Sequence, residues 1–154
     1  MKKIALIVLV TSLVACHSRD NVYTEYQELS PDVEWLKTDI REFKVPIENK
    51  SQHYNLSLSF RYATGYQFEI VKVKVTEVSP SGKEVEKYYD LKIKDAKGEY
   101  IGEAGYDIWD SEHLIEPNKN YEEIGSYTYK VEHIMPTDPL NYAMEIGVIV
   151  DKVK

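Results

Sequence analysis

A single cysteine is the residue whose type and position point most directly to chemistry. Cys16 ends the run Leu13-Val14-Ala15-Cys16, in which a branched apolar residue and a small residue precede the thiol. This order matches the lipobox, the signal at which bacterial enzymes attach lipid to the cysteine and cut the chain before it. Because the chain has one cysteine, an internal disulfide is excluded. We therefore predict lipid attachment at Cys16.

The segment before this cysteine has the composition of a signal peptide. Lys2 and Lys3 give it a positive start, and residues 4–10 form a continuous apolar run. A bilayer span needs about 20 apolar residues, so this run is too short to cross a membrane and has the length of a signal-peptide core. We predict that residues 1–15 are a signal peptide and that lipid on Cys16 holds the mature protein on a membrane. The alternative is an ordinary secretory signal with an incidental cysteine.

A group of carboxylates close to a tryptophan in the sequence is the second candidate for a functional site. Asp107, Asp110 and Glu112 lie close to Trp109 in the sequence. A carboxylate pair can hydrolyse glycosides, and clustered carboxylates can hold calcium. The spacing matches no EF-hand loop, and chance proximity is expected among 26 acidic residues. We interpret the stretch as a solvated loop, and we retain Tyr106, Trp109 and Asp110 as a candidate contact surface for a ligand or a partner protein.

The usual catalytic and metal-binding motifs are absent from the sequence. The four histidines show no metal-ligand spacing such as HExxH, and there is no GxxxxGKS phosphate loop. A Gly-x-Ser-x-Gly nucleophile elbow is also missing. His133 falls in the apolar phase of a predicted strand, where a hydrogen-bonded buried histidine is more common than a metal ligand. We predict no cofactor, no metal site and no enzymatic activity.

The net charge of the chain argues against some classes of binding partner. The chain has 19 Lys and Arg residues against 26 Asp and Glu residues, which gives a formal net charge of −7. An acidic surface repels phosphate backbones, so we predict no nucleic-acid partner. The same charge argues against a polybasic contact with a membrane. The expected partners are the membrane, through the lipid, and other proteins of the cell envelope.

Alternation with a period of two predicts a β protein. Residues 54–62 alternate strictly between apolar or aromatic and polar side chains. Further strands are predicted at 68–78 with a bulge near 70–71, at 89–94, at 99–109, at 127–133 and at 144–150, with a hairpin turn at 95–98 and a short helix at 111–116. About seven strands with short connections predict an all-β, antiparallel two-sheet β-sandwich over residues 41–154. Residues 17–34 are polar and without a sustained period, and residues 35–40 fit either a short helical turn or an extended entry. We predict a lipidated N-terminus and tether over residues 16–40.

Short motifs spread in order along the chain match those of a known family. They are Val22-Tyr23-Thr24-Glu25-Tyr26 after the lipobox, Trp35, Phe43-x-Val45-x-Ile47, Tyr54-Asn55-Leu56, Arg61, Ser79-Pro80-Ser81-Gly82, Asp95-x-x-Gly98-x-x-x-Gly102, Asp107-Ile108-Trp109-Asp110, Gly125-Ser126-Tyr127-Thr128-Tyr129-Lys130 and Ile146-Gly147-Val148. Together they resemble the gliding-motility lipoprotein family GldH of the Bacteroidetes. Two places depart from the family: Met135-Pro136 stands where Met-Arg is usual, and Tyr66-Gln67 with Ile70-Val71 replaces a Tyr-Pro turn and a Leu-Trp strand.

The resemblance implies a cell-envelope lipoprotein associated with the gliding machinery and its linked secretion system. Cys16 is the functional position that it carries over. We expect anchoring in the outer membrane with the domain facing the periplasm, because His17 is not the aspartate of inner-membrane retention and no acidic run follows it. Two other functions stay open: a carbohydrate-binding lipoprotein that uses Trp109 as a platform, and an enzyme with a convergent carboxylate pair.

Overall fold

The computed structural model describes residues 20–154, so the predictions for residues 1–15 and for Cys16 lie outside the described part of the chain. The strands are β1 (Asn21–Glu28), β2 (Glu34–Trp35), β3 (Arg41–Ile47), β4 (Tyr54–Ala63), β5 (Ile70–Val78), β6 (Glu84–Lys92), β7 (Glu103–Gly105), β8 (Ile108–Lys119), β9 (Gly125–His133), β10 (Leu140–Asn141) and β11 (Ala143–Lys152). The described residues therefore form more strands than the seven or so predicted, because β2, β7 and β10 have only two or three residues each.

Two large antiparallel sheets make up the body of the domain. The five-stranded sheet has the order β1-β11-β4-β8-β7, and the four-stranded sheet has the order β3-β9-β5-β6. β10 and β2 form a separate two-stranded ribbon. The large sheets bury one side each in a shared core, so the predicted all-β, antiparallel β-sandwich is confirmed.

The period of two places one face of each central strand in this core. Leu58 and Phe60 of β4 are at most 1% exposed, and Val148 pairs with Leu58 from β11. Val73 of β5 and Val131 of β9 belong to the same buried cluster. Burying an apolar side chain of this size stabilises a fold by about 1.5–3 kcal/mol. The strand predicted at 54–62 is confirmed as β4, and those predicted at 127–133 and 144–150 lie within β9 and β11.

Much of the segment predicted as a tether is part of the sandwich. Residues 21–28 form β1, which pairs with β11, and Trp35 is fully buried beside Phe60. The folded unit therefore begins near residue 21 and not at residue 41. β1 is an edge strand with most of its side chains exposed, so it lacks the apolar alternation that reveals a half-buried strand.

The short helix predicted at 111–116 is wrong, because these residues lie in β8. β8 pairs with the central strand β4 along most of its length. The side chains opposite the buried Phe60 and Leu58 are the polar Ser111 and His113, whereas Leu114 on the outer side is exposed. The register against β4 also shifts twice near Leu56, so the sequence shows no clean alternation. Pairing with a buried neighbour decides the conformation of this segment more than local propensity does.

Two irregularities also differ from the prediction. The bulge expected near residues 70–71 is wrong, since β5 pairs with β6 in unbroken register from Ile70 to Val78. The strand starts at Ile70, so Phe68 precedes it and does not share its phase. The strand predicted at 99–109 is divided into β7, a turn at 106–107 and the start of β8.

Candidate functional site

The three residues retained from the sequence lie where β7 turns into β8, at one end of the five-stranded sheet. Tyr106 occupies the turn with a φ of 62°, and its side chain is fully exposed. Trp109 is half-buried, and Asp110 is exposed. Successive side chains of a strand point to opposite faces of a sheet, so Trp109 and Asp110 do not share one surface.

Trp109 lies on the inner side of β8 at the end of the core. It is opposite the buried Tyr62 of β4, and its ring centroid is 5.4 Å from that of Tyr100. The indole Nε1 donates a hydrogen bond of 3.2 Å to Thr64 Oγ1. These contacts fix the ring in place and leave part of it accessible, three residues after the exposed Tyr106.

Asp110 points to the outer side of the sheet, where it pairs with Arg61. Arg61 Nε donates to Asp110 Oδ1 at 2.7 Å, and Arg61 Nη2 donates to Oδ2 at 3.1 Å, so the pair is bidentate. Arg61 Nη1 also lies 3.5 Å from Glu145 Oε2 on β11. The hydrogen bond from Arg61 to Asp110 is the main reason why the pKa of Arg61 is raised.

A groove that the sequence did not predict runs over this outer side. It has a volume of about 610 Å³ and is lined by residues from β1, β4, β8 and β11, with Glu103 of β7 at its edge. Tyr26 of β1 lies over Gly147 of β11, where an added Cβ would approach the Tyr26 ring to 2.5 Å and Ser59 Oγ to 2.8 Å. Gly147 thus allows the Tyr26 ring to lie close against the sheet.

A second groove of about 350 Å³ adjoins the first, and both are lined by Arg61 and Glu145. The two grooves together are called the Arg61 trough here. Its side chains include the carboxylates of Glu28, Glu103, Asp110, Glu112 and Glu145, and among the described residues that line it Arg61 is the one cation. The trough therefore carries an excess of negative charge.

Sequence reasoning missed this trough because its residues are far apart in the chain. Glu28 pairs with Glu145 across β1 and β11, and Arg61 pairs with both Glu145 and Asp110 across β4. Only the strand order brings them together. A signal was present in Gly147, because a glycine inside a long apolar strand often marks a close approach of another group.

Comparison with known proteins decides the family. The family model of the GldH lipoproteins matches residues 21–150, from the start of β1 almost to the end of β11. The chain belongs to the GldH lipoprotein family. It is 23% identical over 118 residues to the gliding motility lipoprotein GldH homolog of Christiangramia forsetii, an alignment that covers 76% of this chain and 70% of that relative. The resemblance seen in the sequence motifs is confirmed.

At the opposite end of the sandwich, this GldH-family protein joins its two sheets by a buried ionic cluster. Lys119 of β8 is 9% exposed and lies 2.7 Å from both Glu77 Oε2 and Glu116 Oε2. Tyr129 donates to Glu77, and Tyr89 donates to Glu116. Burial opposes the charge on Lys119, but its hydrogen bonds to the two carboxylates outweigh burial and raise its pKa. Every member is hydrogen-bonded, which fits a structural role.

Residues 20–154 hold neither a metal-binding cluster nor a membrane-spanning helix. No group of three or more His, Cys, Asp or Glu side chains in that range is placed to hold a metal ion. None of the described residues belongs to a helix long and apolar enough to span a bilayer.

Proposed function

We propose that this GldH-family lipoprotein is a non-catalytic accessory component of the gliding machinery and its linked secretion system, and that it acts by binding other envelope proteins. The observation that carries the proposal is the family match over residues 21–150, which covers the whole folded unit except its last strand residues. The relative in Christiangramia forsetii is named for gliding motility. The Arg61 trough and the exposed edges of the sandwich offer surfaces for protein contacts.

We further propose that lipid on Cys16 anchors the domain in the outer membrane, with the sandwich in the periplasm. Four residues, 17–20, separate Cys16 from the start of β1. A fully extended chain covers at most about 3.6 Å per residue, so Asn21 lies within about 18 Å of the lipidated cysteine. The sandwich then stands next to the membrane, with the Asn21 end nearest to it.

Crosslinking in intact cells tests the accessory role. The tagged lipoprotein is expressed at its natural level, crosslinked, solubilised and pulled down, and its companions are identified by mass spectrometry. We expect components of the motility or secretion machinery. Recovery of polysaccharide-handling proteins alone, or of no envelope protein, would contradict the accessory role.

A second candidate function is carbohydrate binding at the β7–β8 turn. The observation in its favour is the fully exposed ring of Tyr106 beside the half-buried Trp109, since aromatic rings stack on sugar rings. Replacing Tyr106 and Trp109 with Ala is then expected to abolish retention on polysaccharide in affinity electrophoresis. Tyr88→Ala, which removes an exposed ring from the four-stranded sheet, serves as the control. Equal retention of all variants would exclude this surface.

A further inference from the structure

We infer that the Arg61 trough is the docking surface for a basic, extended segment of a partner protein. The inference rests on the proposed function, because it names the surface through which the lipoprotein binds an envelope protein. It draws on the shape of the trough, on its charge and on its position relative to the lipid anchor.

The shape suits a chain segment that lies flat on the sheet. The two grooves join at Arg61 and Glu145, and their volumes of about 610 and 350 Å³ fall within the range of ligand-binding clefts. The lining includes the small side chain of Ser59, and Gly147 lets the Tyr26 ring lie low against the sheet beside it. Tyr26, half-exposed at one wall, offers an aromatic ring of the kind enriched at protein interfaces.

The charge of the trough selects a basic occupant. Arg61 is engaged by Asp110 through two hydrogen bonds and lies near Glu145, which leaves the carboxylates of Glu28 and Glu103 without a compensating cation among the lining residues. Burial raises the pKa of Glu145, and the nearby charges of Asp110 and Glu28 raise it further against the opposing effect of Arg61. A lysine or arginine of a partner would relieve this repulsion among carboxylates.

The position of the trough favours a protein over a lipid headgroup. Asn21 pairs with Asp151 at the anchored end of the sheet, whereas Glu28 pairs with Glu145 at the trough. The trough extends along β1 from Glu28 back to the position of Thr24, which pairs with Ile149. At about 3.4 Å per residue, it therefore lies about 10 to 24 Å along the strand from the anchored end. An acidic face is also repelled by an anionic bilayer. A second copy of this chain is disfavoured by its net charge of −7.

Site-specific photocrosslinking in cells tests the position of the partner. A benzophenone amino acid replaces Tyr26 in the trough or, as the matched control, Tyr88 on the four-stranded sheet, both of which are exposed. We expect a protein adduct from position 26 that falls at least tenfold when Glu28→Lys and Glu103→Lys are combined. The double variant Glu48→Lys and Glu122→Lys, at exposed positions outside the trough, is expected to keep the adduct.

A binding measurement with a defined probe provides the second readout. Purified full-length lipoprotein in detergent is titrated with a decapeptide of alternating Lys and Ser and, separately, with the corresponding Glu and Ser peptide. We expect binding of the lysine peptide alone, weakened at least tenfold by Glu28→Lys with Glu103→Lys and weakened by salt. The Glu48→Lys and Glu122→Lys variant is expected to bind as the wild type does.

The outcomes separate this inference from the proposed function. Adducts at position 26 that contain only phospholipid or a second copy of the chain would overturn the inference, as would lysine-peptide binding unchanged by the trough substitutions. If the trough variant still recovers the motility components in the pull-down, the accessory role stands and the trough is not its surface. If the wild type recovers none of them, the accessory role fails, and the peptide titration still decides whether the trough binds basic chains.

Discussion

At the scale of single residues, two glycines just before β7 separate the cost of backbone strain from the cost of a steric clash when each is replaced by alanine. Gly102 has a φ of +126°, and a Cβ there would lie 2.3 Å from the carbonyl oxygen of Asp110. Gly98 has a φ of +81° with nothing within 4 Å of its added Cβ. Both positions disfavour an L side chain, but only Gly102 is also closed by neighbouring backbone.

We predict that Gly102→Ala lowers the free energy of unfolding by about 3 kcal/mol, the sum of backbone strain and a displaced β7. Gly98→Ala is expected to cost about 1 kcal/mol, from strain alone. Urea unfolding followed by tryptophan fluorescence measures both. Equal losses of stability in the two variants would show that the close approach of Gly102 to the Asp110 backbone adds no cost beyond backbone strain.

The ionic cluster at Lys119 gives a second prediction. Lys119→Met leaves Glu77 without its cation at the end of the core, while Glu116 keeps Lys87 at 2.9 Å, and removing one partner of a largely buried ion pair costs about 3 kcal/mol of stability. Lys154→Met is the control, because Lys154 lies 3.8 Å from Asp20 with both side chains exposed, and an exposed pair contributes less than about 1 kcal/mol. Denaturant midpoints measure the two costs, and similar values would contradict a structural role for the cluster.

Two histidines make stability depend on pH. Burial lowers the pKa of His113 and of His133, although for His133 the nearby backbone of Trp35 and the charge of Asp138 act in the opposite direction. The unfolded chain therefore binds protons at these residues near pH 6.5 while the folded chain does not. The contribution of these histidines to the free energy of unfolding is therefore complete above about pH 6.5. It decreases as the pH falls below that value, until the pH reaches the lowered pKa values of the folded state.

We expect the free energy of unfolding to be smaller at pH 5.5 than at pH 8, with part of the difference removed by His113→Gln and part by His133→Gln. His53→Gln, at the hydrogen bond between the surface residues His53 and Asn118, is the control and is expected to keep the whole difference. Urea titrations at the two pH values provide the measurement. A pH dependence unaltered in both test variants would assign it to other groups.

At the scale of elements, the sequence predicted the strands that bury one face and missed those that do not. β4 was predicted almost to the residue, because Leu56, Leu58 and Phe60 alternate with polar residues along it. β1 and β8 carry many exposed polar side chains and lack this alternation. Their strand conformation is set by pairing with the neighbouring strands. The Arg61 trough was missed for the same reason, since it exists only when these two strands are in place.

β1 supports a prediction at this scale. β11 is buried along most of its length and has β1 as its neighbour on one side and β4 on the other. Removing residues 17–29 exposes the β11 edge, and an exposed apolar edge pairs with other chains. We expect the shortened protein to aggregate, whereas a chain that starts at residue 17 stays monomeric in size-exclusion chromatography. A soluble, cooperatively melting shortened protein would mean that β1 is dispensable.

At the scale of the whole molecule, the proposed membrane attachment depends on one group, the thiol of Cys16. Cys16→Ala is expected to abolish labelling by palmitate and to leave residues 1–15 on the chain, because the cut is made before the lipidated cysteine; gel mobility then shows the larger uncut precursor. The wild type is the labelled control. Equal labelling of both proteins would contradict lipidation at this residue.

The pairing of β1 with β11 also has a mechanical consequence. If lipid on Cys16 anchors the chain and a partner binds the trough, a pull between them acts along the strands, because β1 begins at Asn21 and ends at Glu28, which lines the trough. Such a load shears β1 past β11 and strains the seven paired positions between them together, whereas a load across the strands would open them one after another. In the proposed arrangement, the edge strand β1 therefore resists tension between the membrane and the partner.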